Sequence, residues 1–570
     1  MPSRWVVSLL RCSPALVPIG VLAVLGWRQR WMSDDGLINL RVVDQVLANN
    51  GLVYNAGERV EVATSTLWLG LLVLSAVALP VIETALVAVV LGWALTLLGL
   101  AAGTYASARL QRSGPGIWWP AGALVIALCP PMWDFATSGL ETGLTFAWIG
   151  GCFLALVWRL EARPSTPAYA PVWVPVLIGL GPLIRPDLTL MSACFGLALL
   201  LQSRLTVRSV LFSILIAAVL PLAWQVFRMG YYAALVPNTA LAKSAADARW
   251  DQGVAYLLDL VGRYALYVPL AVLILLVIRT AVLAGRTGDR GRTAAILAPL
   301  TAGLLHGLYV VRVGGDFMHG RLLLPALFAV TVAAAVVRIS KGQRALAVGV
   351  VVVVVSALVT GLFLRFPPVP RTDPQTGIAD ERHYYATRVI SGRPLGPADW
   401  RGSWQYEVGV RLSEEARRGS SRFEDGKQIL PAAPGYRLVY TASNLGIIGV
   451  LAGNEVLIAD RFALADPVGA RVAVDEQTGM RIGHAAPPPV WRQARYAAPQ
   501  FGERQSVRDA RSALACGQLA ELDAAIREPM SPGRFVRNLR LSASLTTLRI
   551  PAAPAEARRQ LCDAEPSGLR

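Results

Sequence analysis

Apolar residues in this chain gather in long blocks separated by short polar loops, and the pattern runs from near the start to about residue 364. Blocks near residues 6–27, 84–108, 117–133, 143–158, 172–184, 188–201, 206–226, 262–278, 293–311, 322–337 and 345–364 read as eleven membrane-crossing helices. A crossing helix takes about 20 apolar residues, and several blocks are shorter, so their ends are soft. Pro175, Pro182 and the pair Arg185-Pro186 predict that the blocks at 172–184 and 188–201 are broken or tilted. Residues 66–80 are apolar too. A full span there would reverse the side of every later loop, so they are expected to rest on the membrane or re-enter it. Twelve or thirteen spans is the alternative.

Beyond residue 366 the pattern changes. Pro and Arg become frequent and apolar runs become short. Residues 437–440, 446–450 and 455–459 read as strands separated by Gly and Asn turns. The chain is therefore expected to divide into a transmembrane unit, 1–366, and a soluble mixed α/β unit, 367–570, long enough for a core of its own.

Composition agrees with the blocks. Of 570 residues, 54% are hydrophobic and 16% charged, with a mean hydropathy of +0.48. Soluble proteins carry about 25% charged residues. The class is a polytopic α-helical membrane protein. The net charge of +17 does not indicate nucleic acid, because most basic residues punctuate apolar blocks and the rest form no aromatic-basic patch. Arg109/Arg112, Arg159/Arg163, Arg204/Arg208 and the basic residues of 279–292 and 338–344 lie in acid-poor loops. Those loops, with Arg4 and Arg11, are expected on the cytoplasmic side of the plasma membrane. Asp34-Asp35 and residues 367–570 then lie outside. The first block has no convincing cleavage site and reads as a retained span. Cys12, Cys129, Cys152 and Cys194 fall in apolar blocks and read as packing residues. Cys516 and Cys562 lie in the polar region, where an extracytoplasmic setting predicts a disulfide.

The alternating loops on the expected outer side carry the chemistry. Ser33-Asp34-Asp35-Gly36 opens a segment with Leu37, Leu40, Val43 and Leu47 at helical spacing, closed by Asn49-Asn50-Gly51. This reads as an amphipathic helix in the interface. One Asp can serve as a helix cap; two exceed that need. Later loops hold Glu141, then Arg185-Pro186-Asp187, then Asn238 and Lys243, then Arg312, Asp316, His319 and Arg321. Glu141 can equally bond locally, and Lys243 can equally be a snorkelling anchor. Together the loops offer carboxylates to activate a hydroxyl and fixed cations to hold a phosphate. That suits a lipid-phosphate-dependent transferase acting on a polyprenyl-phosphate sugar. No zinc-like His/Cys spacing is present. An acidic pair can hold Ca²⁺ or Mg²⁺, so a divalent cation stays open as a cofactor, to be decided by activity after chelation.

The run SDDGLINLRVVDQVLANNGLVYNAGERVEVATSTLW resembles the first outer loop of the C-type membrane glycosyltransferases, the GT-C class. DFATSGLETGL, FRMGYYAALVPNTALAK, GGDFMHGRLLLP, ADRFALADPVGAR and RIGH, with the two late cysteines, are similar to the terminal β-(1→2)-arabinofuranosyltransferase family of mycobacteria and corynebacteria. The resemblance covers nearly the whole chain. It implies a GT-C-like fold and a decaprenylphosphoryl arabinofuranose donor. The implied acceptor is the arabinan ends of arabinogalactan and lipoarabinomannan, with anomeric retention. It places the family's catalytic acids on Asp34 and Asp35. On that basis Asp35 is general base or nucleophile and Asp34 its partner. Arg321, Arg312, His319 and Lys243 meet the phosphate, and Glu141, Asn238 and Asp316 orient sugar hydroxyls. Retaining glycosidases hold two carboxylates about 5 Å apart, an arrangement the adjacent acids can resemble.

Between about residues 367 and 434 the chain is shorter and differently composed than its relatives, which leaves acceptor handling there undefined. Trp400, Trp404 and Tyr406 are either sugar-stacking rings or core aromatics. Rival functions are a transferase using another polyprenyl-phosphate sugar such as mannose, a lipid-linked sugar transporter, and a non-catalytic envelope-binding protein. A transporter wants polar groups at the membrane midplane, whereas these motifs cluster on loops.

Overall fold

The structure is a computed structural model that describes residues 4–111, 116–161, 170–202, 206–243, 248–365, 376–474 and 483–563, with the side chains of 4–15 outside the description. The side chains of Arg4, Arg11 and Cys12, and Arg112, Arg163, Arg204 and the first two residues of RIGH, therefore lie outside the description. Among the described residues, six helices are long and apolar enough to cross a membrane: Thr84–Leu110, Thr142–Glu161, Val207–Tyr232, Tyr267–Arg286, Arg290–Arg312 and Arg344–Phe363. Shorter apolar helical stretches cover Leu16–Arg28, Thr66–Ala78, Trp173–Ile184, Pro186–Leu201 and Arg321–Val332.

Small residues set the tightest contact in the bundle. Along Thr84–Leu110 and Thr142–Glu161, Gly92 meets Gly143 and Gly99 meets Gly150, backbone against backbone. A side chain at Gly99, Gly143 or Gly150 would collide with the facing main chain, and one at Gly92 would press on the Ala136 carbonyl. Where lipid tails replace water, such close approach is a main source of helix association.

The block at 117–133 is not one helix. Pro120 and Pro130-Pro131 break it into a strand, Ile117–Trp119, and short helices Ala121–Ala127 and Pro130–Phe135. Its strand pairs antiparallel with Val337–Ile339, which follows the equally short helix Leu324–Val332. The helical parts of both segments are buried almost throughout, the setting in which interrupted backbone is tolerated at membrane depth. Residues 66–80 form a helix, Thr66–Ala78, of 13 residues.

The C-terminal part centres on a four-stranded sheet ordered Gln428–Leu430, Arg422–Asp425, Leu438–Ala442, Val456–Asp460. The first pair is antiparallel and the others parallel. Two strands thus fall where the sequence predicts them, but residues 446–450 do not. They belong to a helix, Gly446–Ala452, that joins the two parallel strands. Helices from Pro489 to Cys562 form a second core, and Cys516 and Cys562 are disulfide-bonded. Trp400 is buried against Tyr385, Trp404 is exposed, and neither lines a cavity described below.

Candidate active site

The acid pair sits in the first turn of the helix Asp34–Leu47. Ser33 caps that helix, its hydroxyl accepting from the Gly36 N–H at 2.9 Å. Neither Asp is spent on capping its own helix. The helix does not lie open in an interface. Most of it is buried, with Gly446–Ala452 packed across it.

Successive helix positions point about 100° apart, and the two carboxyls part company accordingly. Asp34 is 5% exposed. It accepts from the Ile447 N–H at 2.9 Å and the Gly446 N–H at 3.2 Å, satisfying the start of the Gly446–Ala452 helix. Burial pushes its carboxyl up to about 6, against the pull of these N–H groups and with help from the charge of Asp35. One side of Gly446 lies directly on the Asp34 carbonyl, leaving no room for a larger residue. Asp35 faces elsewhere. Its side chain is 26% exposed, and its Oδ2 lies 3.5 Å from the Arg321 guanidinium.

Two cavities meet beside Asp35. One, of about 280 Å³, is enclosed by the ends of apolar helices and by Glu141, Arg185, Asp187, Asp316 and Arg321. The other, of about 470 Å³, lies under the C-terminal part and includes Asp34, Glu381, Tyr385, Asn444 and His484. Asp35, Ile38, Lys243 and Leu464 line both. The smaller cavity is wired by ion pairs. Arg321 reaches Asp316 at 3.3 Å, Asp35 at 3.5 Å and Glu141 at 3.8 Å. Arg185 bonds Glu141 at 2.9 Å and Asp187 at 3.0 Å, and His306 bonds Asp187 at 2.8 Å. Lys243 makes no ion pair among the described residues and stands at the junction.

The structure gathers Asp35, Arg321, Lys243, Glu141 and Asp316 at the cavities and sends three expected residues elsewhere. His319 is buried, bonded through Nδ1 to Asp259 and through Nε2 to the Tyr264 hydroxyl at 2.9 Å, so neither ring nitrogen is left for a phosphate. Arg312 ends the helix Arg290–Arg312 and lines neither cavity. Asn238 donates to the carbonyls of Ala463 at 3.0 Å and Leu464 at 2.9 Å. It clamps the loop that carries Leu464 rather than facing a sugar. Four residues at or beside the site carry no individual role from sequence: Arg185 and Asp187 in the ion-pair network, Arg41 against the Gly446–Ala452 helix, and Glu381 on the larger cavity. Arg41 carried a signal, a charge among the apolar positions of an amphipathic helix; Glu381 carried none. Among the described residues, no group of three or more His, Cys, Asp or Glu is arranged to hold a metal ion.

Carboxylates face guanidinium groups at one end of an apolar helical bundle, under an α/β cap, an arrangement that fits a membrane glycosyltransferase. Comparison with known proteins narrows the class. Residues 431–560 match the AftB family C-terminal domain. The chain is 32% identical to a terminal β-(1→2)-arabinofuranosyltransferase from Mycobacterium tuberculosis, across 96% of this chain and 97% of that protein. It is 34% identical to a protein of the same name from Corynebacterium glutamicum, across 95% of this chain and 86% of that one. The chain belongs to the terminal β-(1→2)-arabinofuranosyltransferase family. No solved structure matches it.

Proposed function

We propose that this protein transfers arabinofuranose from decaprenylphosphoryl arabinofuranose to the non-reducing ends of arabinan in arabinogalactan and lipoarabinomannan, forming terminal β-(1→2) linkages with retention. The observation that carries this reading is the position of Asp35, on the wall shared by two cavities and 3.5 Å from Arg321. In this reading the smaller cavity, closed by apolar helix ends, takes the lipid phosphate and its sugar. Arg321 and Lys243 hold the phosphate, and Glu141 and Asp316 hold Arg321. The larger cavity takes the acceptor. Asp35 works at the anomeric carbon between them, and Asp34 positions it.

Two routes preserve the configuration. In one, Asp35 displaces the lipid phosphate to form a glycosyl ester; the acceptor hydroxyl then attacks the same carbon, freeing the carboxylate and giving its proton to the released phosphate. In the other, the hydroxyl attacks on the face the phosphate leaves, and the departing phosphate takes its proton. Arg321 stabilises the charge on that phosphate in both.

The topology proposed with this chemistry has eleven spans, with the site and the unit 367–570 on the extracytoplasmic side and the transmembrane unit ending near 366. It is supported by a concentration of Arg109, Arg292 and Arg338 at the end of the bundle away from Asp34, where Arg292 bonds the Leu110 carbonyl.

The test is transfer by the purified protein from lipid-linked arabinofuranose and from lipid-linked mannose to an arabinan oligosaccharide. Arabinose transfer is expected. Mannose transfer without arabinose transfer would contradict the proposal.

A further inference from the structure

Glu381 opens the helix Glu381–Ala386. The residue is 8% exposed, and its Oε2 has no hydrogen-bond partner among the described residues. It lines the larger cavity together with Asp34 and Asp35. A buried polar atom without a partner is destabilising, so this one is a candidate to bind a ligand. Tyr385, one turn further along the same helix, lines the same cavity, and its hydroxyl accepts from the Asn444 amide at 2.9 Å. Phe317 and Phe462 line the cavity too, their ring centroids 4.8 and 4.7 Å from that of His484. A lining that combines polar groups with aromatic rings suits a neutral polyol, with hydroxyls toward the carboxyl and ring carbons toward the aromatics.

We propose that Glu381 is an acceptor-binding residue, whose carboxyl hydrogen-bonds a hydroxyl of the sugar that receives the glycosyl group. This rests on the reading of the larger cavity as the acceptor's. Burial, and then the charges of Asp35 and Asp34, push the Glu381 carboxyl well above the usual carboxylate range, while Arg321 pulls it down. That direction favours the neutral acid, which can both donate and accept.

The test is steady-state kinetics of Glu381→Ala and Glu381→Gln with lipid-linked arabinofuranose and an arabinan oligosaccharide. Glu381→Ala should raise the acceptor KM about tenfold or more, the loss of one good hydrogen bond, and leave the donor KM within about twofold. Glu381→Gln, which can still donate and accept, should stay within about threefold of wild type. An unchanged acceptor KM in Glu381→Ala overturns the proposal, and so does a Glu381→Gln variant as inactive as Asp35→Asn. If Glu381→Ala does not fold, Glu381→Asp carries the test with acceptors each lacking one hydroxyl. The penalty for one deoxygenated acceptor should shrink relative to wild type, and equal penalties in both proteins overturn the assignment. A wild-type protein that transfers no arabinofuranose defeats the functional reading itself. Wild-type transfer with an unmoved acceptor KM defeats only Glu381.

Discussion

Asp34 and Arg41, seven residues apart on one helix, hold opposite ends of a second helix. Asp34 accepts from the first N–H groups of Gly446–Ala452, and Arg41 donates to carbonyls at and beyond its end: Gly449, Gly453 at 3.2 Å and Val456 at 2.7 Å. A helix start carries partial positive charge and a helix end partial negative, so each side chain meets its complement. Fixing the helix this way fixes the backbone next to Asp35.

Arg41→Ala should therefore destabilise the protein by about 3 kcal/mol, because several buried carbonyls lose a charged donor together. Thermal unfolding in detergent reads the loss, and limited proteolysis should show earlier cutting around residues 446–456. Unchanged unfolding would mean that the helix is held by apolar packing alone.

Asp34 gives a pH signature. Its carboxyl is raised from an ordinary 3.8 to about 6 in the folded protein. Between those values the folded state keeps a proton that the unfolded state has lost, so stability falls as pH rises through the window. The difference amounts to about 3 kcal/mol at most and is complete above about pH 6. Asp34→Asn cannot titrate. Its unfolding temperature should gain on wild type from pH 4 to 6 and then run parallel. Parallel curves throughout would contradict the assignment.

Arg321 touches Asp35, Asp316 and Glu141 at once. A lysine keeps the charge but not the planar fork. Arg321→Lys should lower kcat/KM for the lipid donor by about 10²-fold and leave the acceptor KM near wild type. A loss confined to the acceptor KM would place the phosphate elsewhere.

Asn238→Ala should act differently from a sugar contact. It frees the carbonyls of Ala463 and Leu464, and Leu464 lines both cavities. Stability should drop by about 1–3 kcal/mol and both substrates' KM values should rise together. A change in one KM with full stability would restore the sugar-binding role.

The helix Asp34–Leu47 was legible because its apolar spacing and polar start are local signals. So were the acid pair and the late cysteines. Gly446–Ala452 was misread because Ile447, Ile448 and Val450 favour strands in isolation. Its helical form is settled by Asp34 and Arg41, about four hundred residues away in sequence. His319 looked like a phosphate ligand beside Arg321, but its partners Asp259 and Tyr264 lie in another segment. Glu381 belongs to no motif; only the fold brings it to Asp35. Local pattern thus located the loops that build the site, and long-range contacts decided which side chains face it.

The account rests most heavily on Asp35 rather than Asp34 as the carboxylate at the reacting carbon. Transfer from lipid-linked arabinofuranose by purified Asp35→Asn and Asp34→Asn, each checked for folding, tests that claim directly. Asp35→Asn should lose about 10³-fold or more in turnover with wild-type stability, and Asp34→Asn about tenfold with altered stability. Equal losses in both, or an active Asp35→Asn, would contradict it.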